Sequence, residues 1–281
     1  MDTMSETTAV ASTVVGDDGH DGVARERLHA ADGVELFAVG LTGDRGWRPT
    51  REAPAYGYVL RGPVALRWES ASRTVAGDEF FQVPAGAPPV VTAPTDQPAT
   101  LLVAFDRTET DGAPPDRPRR AARSDVVASA GGQTVSARTA VPGHEPSAPA
   151  AGDSRARADA VCVAGRDSFA SAGELSNVRR HTPFPDQPVR MVRGHSEGEI
   201  VSEWHHHADN HVFGFVLAGD GYVEWGRGEG ERLFVEAGEC FHVPAGFVHR
   251  DRSDSPDSQE FVLWLTGSDP RTVTDGVDCR D

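Results

Sequence analysis

The chain has 281 residues and a formal net charge of −16, with 43 acidic side chains against 27 basic ones, and every basic one is arginine. So large a negative surplus repels nucleic-acid phosphates and anionic membrane surfaces, so neither is an expected partner, and the lack of lysine excludes Schiff-base chemistry on a lysine side chain. Frequent glycine and proline, with few runs of helical period, point to many short strands, and the length is about twice that of a common domain.

Residues 1–22 read as an acidic, Ser/Thr-rich tail without the basic start and apolar run of a secretory signal, and no other stretch is long enough to span a bilayer. The expected location is cytoplasmic. Cys162, Cys240 and Cys279 form an odd, scattered set that suits a reducing compartment better than a disulfide framework, and Cys240 reads as a small buried hydrophobe. Residues 23–107 read as a first β unit. Residues 108–160 are rich in Pro, Ala, Arg, Ser and Asp, the composition of a flexible linker; inside it, Gln133–Arg138 reads as a short strand that completes one of the β units. Residues 161–270 read as a second β unit, and 271–281 as a tail.

The two β units repeat each other. Trp47–Gly62 aligns without a gap on Trp204–Gly219, and Ala76–Gly86 aligns on Ala237–Gly246 with one extra residue. Within the second copy, Trp204-His205-His206-His207 runs towards an apolar strand that begins at Val212 and ends in a Gly219-Asp220-Gly221 turn. Strand residues alternate faces, so His205 and His207 point the same way and His206 the other. A second motif, Gly238 through Pro244, Gly246 and His249, places another imidazole on a neighbouring strand. Three such imidazoles suit a transition metal, whereas magnesium or calcium would want oxygens.

These motifs resemble those of the cupins. The second cupin motif is matched from Gly238 through His249, with Ser253 where the family usually has Asn, and the first by His205, His207 and Gly219. The family's glutamate ligand falls on Val212 and is missing. The resemblance implies an all-β fold of two tandem antiparallel jelly-roll (cupin) barrels, a bicupin, with one divalent transition metal held by His205, His207 and His249. Iron is the first expectation, and manganese, nickel, copper or zinc also suit imidazole. His211, one residue from the glutamate position, is expected as a fourth ligand or a catalytic base, which requires a β-bulge to turn it inward. In the first copy Arg48, Thr50, Ala55 and Pro89 stand at His205, His207, Val212 and His249, so no metal is expected there. Arg48 and Arg51 offer that copy an anion site, and dimerisation is a second role, but contributing buried surface is the simplest.

Three histidines without a carboxylate leave the metal more positive and suited to an anionic ligand. The expected function is therefore a metal-dependent, dioxygenase-like cupin enzyme acting on a small organic anion. Two other readings use the same residues: a metal-dependent lyase or isomerase with His211 as base, and a non-enzymatic metabolite-binding or sensing bicupin. His242, Glu203 and Asp209 are candidates to orient the ligands, and Trp204, Phe213, Phe215 and Phe247 serve either a pocket or the core. The expected partners are a small-molecule substrate and a second copy of the chain in a homodimer.

Overall fold

A computed structural model describes residues 22–31, 33–43, 46–49, 53–68, 71–86, 89–94, 97–106, 117–121, 126–127, 161–175, 177–226, 230–267, 271–274 and 277. The tail to residue 21, most of the 108–160 segment with its Gln133–Arg138 run, Thr50, Arg51 and Cys279 lie outside them.

The described chain is almost entirely antiparallel sheet. In the first half β1 (Val23–Ala31), β2 (Val34–Leu41), β3 (Ala55–Arg61), β6 (Phe80–Val83) and β8 (Ala99–Asp106) belong to one large sheet, faced by a small one of β4 (Val64–Trp68), β5 (Ala71–Val75) and β7 (Val90–Thr92). The second half repeats the arrangement. Its large sheet contains β11 (Ala170–Leu175), β12 (Val178–Thr182), β13 (Arg190–Ser196), β15 (Val212–Ala218), β18 (Cys240–Val243) and β20 (Gln259–Leu265). Its small sheet contains β14 (Ile200–Val201), β16 (Asp220–Trp225), β17 (Glu231–Glu236) and β19 (Arg250–Ser253). These are two tandem jelly-roll barrels.

Two short strands cross the expected unit boundaries in opposite directions. Strand β9 (Arg119–Arg120), in the segment expected as linker, pairs with β18 at the edge of the second large sheet. Strand β10 (Cys162–Ala164), expected in the second unit, pairs with β6 at the edge of the first. Composition marks 108–160 as poor in core residues, but two residues of backbone pairing need no apolar side chains.

The large sheets pack face to face, so their central strands are buried on both sides and read as nearly continuous apolar runs. In β3, Tyr56 and Tyr58 enter the core between the sheets while Ala55 and Val59 enter the first barrel. In β15, Phe213, Phe215 and Leu217 enter the shared core while Val212 and Val216 enter the second barrel. Trp264 of β20, fully buried in the shared core, donates its indole N–H to Tyr56 O across the halves at 3.1 Å. Arg193 adds a polar tie: it donates to Tyr58 Oη at 2.8 Å and Glu260 Oε2 at 2.5 Å, and its guanidinium lies 3.1 Å from Asp78 Oδ1.

The repeat is deeper than the sequence alignment suggests. Gly57 pairs with Phe81 and Gly214 with Phe241, and a Cβ at either glycine would stand 2.0 or 2.1 Å from the opposing ring. Each aromatic lies flat over a strand that has no side chain there. Ala76 N–H donates to the Glu79 carboxylate at 2.8 Å, as Glu236 N–H does to Glu239 at 2.9 Å. This register removes the expected extra residue: 76–86 superposes on 236–246 without a gap, and Asp78 (φ 68°) takes the left-handed position of Gly238 (φ 88°). Asp tolerates this backbone better than most residues, and its carboxylate is engaged by Tyr58, Arg166 and Arg193.

Because the halves share one core, they should unfold together. Trp264→Ala is expected to lower stability by about 3–5 kcal/mol and to shift one transition, followed by circular dichroism in urea. Two separated transitions, only one of them shifted, would contradict the shared core.

Candidate metal centre

Backbone bonds set the histidines before any side chain is considered. His205 and His249 form an isolated antiparallel bridge, with N–H···O bonds of 2.8 and 2.9 Å in the two directions, so the two expected ligands stand directly opposite each other. His206 forms a similar bridge with Val273, at 3.2 and 2.8 Å. Part of the expected tail therefore holds the histidine run in place.

The ring nitrogens of His205, His207 and His249 lie within 4.8 Å of one another, and all three residues are buried. Each Nδ1 faces a backbone carbonyl: His205 that of Glu203 at 2.9 Å, His207 that of Arg271 at 3.3 Å, and His249 that of Phe247 at 2.8 Å. A carbonyl oxygen only accepts, so in the neutral ring each Nδ1 carries the hydrogen and each Nε2 keeps its lone pair. Burial, with the neighbouring histidines, holds His207 well below the ordinary imidazole range, and burial and His205 lower His249 from 6.5 to about 4. Neutral rings oriented by carbonyls are what a metal requires of a histidine set, and this donor set fits one.

Asp251, which the sequence reading passed over, stands beside the set. Its carboxylate lies 3.7 Å from His205 Nε2 and 4.0 Å from His249 Nε2. Alternation along β19 could have found it, because residues two apart share a face. Ser202 fixes it from behind: Asp251 N–H donates to Ser202 Oγ at 2.8 Å, and Ser202 N–H to Asp251 O at 2.9 Å.

The histidines line a cavity of about 120 Å3 inside the second barrel, walled mainly by Val212, Val216, Val223, Val235, Val243 and Leu263. Val212, at the missing glutamate's position, is one of these walls.

His211 does not join the set. Strand β15 keeps regular register with β18 and β20 from Val212 to Phe215, so the bulge that would turn His211 inward is absent and His211 follows Phe213 onto the opposite face. Its Nδ1 lies 2.9 Å from His242 Nε2, and the two rings stack at 5.1 Å between centroids. His242 also stacks on Phe213, and His29 of the first half lies 6.0 Å away. Thus neither His211 nor His242 touches the cavity. Glu203 serves through its carbonyl, and Asp209 is exposed. Phe213 and Phe215 belong to the shared core, Phe247 packs on Trp225, and Trp204 lies under the Arg250 guanidinium, so none of these expected aromatics lines the cavity, where Tyr222, Phe241 and Phe261 do. Burial pushes the Cys240 thiol well up, followed by the effects of Glu26 and Glu239, which suits its packing role.

Residues 195–265 match the family model described as cupin domain. Among solved structures, a variant of Bacillus subtilis oxalate decarboxylase is similar over 91% of this chain and 76% of its own, with a TM-score of 0.60 and 12% identity. The chain has a cupin domain at residues 195–265 and the fold of a bicupin. AerE from Microcystis aeruginosa is similar over 89% of this bicupin and 94% of its own chain (TM-score 0.59, 11% identity). A putative glyoxylate-induced protein from Pseudomonas aeruginosa is similar over 92% and 83% (TM-score 0.58, 15% identity). At these identities the likeness is one of fold, and no curated protein sequence matches.

The bicupin's halves differ where the repeat predicts. In the first barrel Pro89 is buried at the register of His249, and Val91, opposite Leu66, takes the register of Asp251, opposite Val223. Trp47, Val91 and Phe105 help fill that interior. Arg48 is exposed.

The buried histidines make the bicupin acid-sensitive. His249, and His29 at the seam, titrate at 6.5 when unfolded and near 4 when folded. Between those values the unfolded chain binds more protons, so stability is highest above pH 6.5 and falls as pH drops towards 4, by on the order of 3 kcal/mol for each group. Urea midpoints at pH 7.5 and 4.5 measure the loss. Equal midpoints would show that these rings are not buried neutral.

Proposed function

We propose that this bicupin holds one divalent transition metal at His205, His207 and His249 and acts as a dioxygenase-like enzyme on a small organic anion. The observation that carries the reading is the set of three buried imidazoles, each with Nδ1 engaged by a carbonyl and a lone pair left at Nε2. Bound there, the metal would supply Lewis acidity and, if it is iron, the one-electron chemistry that reaction with dioxygen requires.

The chain's own residues do the rest. Val212 puts an apolar side chain where a carboxylate ligand would have stood, and the carboxylate beside the set is instead that of Asp251. The valine walls exclude water and limit the ligand to a small molecule. Asp251 can accept a proton at its carboxylate from a ligand held against His205 and His249. The same carboxylate favours a second reading, a metal-dependent lyase or isomerase, with Asp251 in the role expected of His211. Fold likeness to an enzyme whose name is oxalate decarboxylase is compatible with a small carboxylate as ligand.

Elemental analysis of untagged protein tests the metal reading: about one metal ion per chain is expected, and none after reconstitution would move the protein to the binding-module reading. His207→Ala and His249→Ala are each expected to lose most of that metal, at least tenfold in affinity, whereas Thr50→Ala changes nothing. Stoichiometric metal in both histidine variants would sink the assignment. Oxygen uptake with product analysis separates oxygenation from lyase or isomerase chemistry.

A further inference from the structure

Arg180 lines the same cavity as the three histidines. It stands on β12 two residues from Val178, another cavity residue, and pairs through its backbone with Gly194 of β13. Its neighbour Arg179 points to the outer face and pairs with Glu197 at 2.7 Å. Among the described residues Arg180 has no comparable partner. Its Nε is buried without a hydrogen bond, and among the described residues its guanidinium forms no ion pair.

Three other arginines around the second barrel have carboxylate partners, although Arg252 Nε, like Arg180 Nε, is buried without a hydrogen bond. Arg252, which also lines the cavity, donates to Asp254 at 3.0 Å and lies 3.7 Å from Glu224. Arg250 donates to Glu224 at 3.0 Å, and Arg193 is held by Glu260. A half-buried guanidinium left without an acceptor is costly, and its planar fork matches a carboxylate with two parallel N–H···O bonds. Its charge is felt at the site, since Arg180 is among the groups that lower His207, and Asp251 is the anion that acts on Arg180.

We propose that Arg180 binds the free carboxylate of a ligand whose other end faces His205, His207 and His249. The ligand class is then a short, doubly functional acid: one metal-seeking group, a small apolar middle against the valines, and one carboxylate for Arg180. This assignment rests on the metal reading above and narrows its ligand from a small organic anion to one with two polar ends.

The test uses the full chain loaded with cobalt(II), whose visible absorption reports ligand binding, titrated with succinate and with butyrate. The two acids have equal chain length and differ by one carboxylate. Wild type is expected to bind succinate more tightly by about tenfold or more. In R180M, and in the polar variant R180Q, succinate should fall to the level of butyrate while cobalt content and butyrate affinity stay unchanged. R180K, which keeps the charge without the fork, should retain part of the preference. Failure of wild type to load cobalt overturns the metal reading, and this one with it. Normal loading with equal affinity for the two acids, or a succinate preference that survives R180M and R180Q, overturns the Arg180 assignment alone. Loss of fold or of cobalt in both neutral variants shows a structural arginine and overturns it as well.

Discussion

Strand alternation under double burial is the constraint on which the rest of this molecule depends. Strands β3, β8, β15 and β20 each supply two cores at once, odd residues to one and even residues to the other. A slip of one residue would exchange the two sets and ruin both cores together. The cross-strand Gly57–Phe81 and Gly214–Phe241 pairs oppose such a slip, because only glycine leaves room for the ring. The same alternation assigns chemistry. It gives Val212 to the cavity and His211 to the seam between the barrels, and no local preference of either side chain can reverse that.

Within the second barrel the site is built on backbone rather than on long side chains. The bridge between His205 and His249 joins the two motifs, and three carbonyls orient the rings. Little freedom is left to lose when a ligand arrives. The first barrel keeps the same strands and the same turn at Glu79, and packs Trp47, Val91 and Phe105 in its core. The same scaffold therefore carries a histidine set in one copy and none in the other, and the difference lies in a few positions, with Pro89 and Val91 against His249 and Asp251.

Much of this was legible from the sequence, for reasons that can be named. The repeat, the β class and the convergence of His205, His207 and His249 follow from spacing and period two, which survive folding unchanged. His211 was misread because bulges are invisible in sequence, and only the ladder from Val212 to Phe215 shows that none exists there. Asp251 was within reach of the same alternation rule, two residues beyond His249. Arg180 shares a face with the apolar Val178 by the same rule, but that this face borders the cavity shows only once β12 is docked beside β13. The register at Asp78 was missed because a left-handed aspartate stood where a glycine was expected.

The crossing of β9 and β10 makes the halves a reciprocal clasp. Each lends the other an edge strand, which covers backbone groups that would otherwise invite pairing with foreign chains. A protease cut anywhere between Val127 and Val161 would therefore sever the chain without freeing either part, since each fragment would keep a strand seated in its neighbour's sheet and both would still share one core. Connectivity and integrity are thus separate properties here, and the nicked molecule would still behave as a single body.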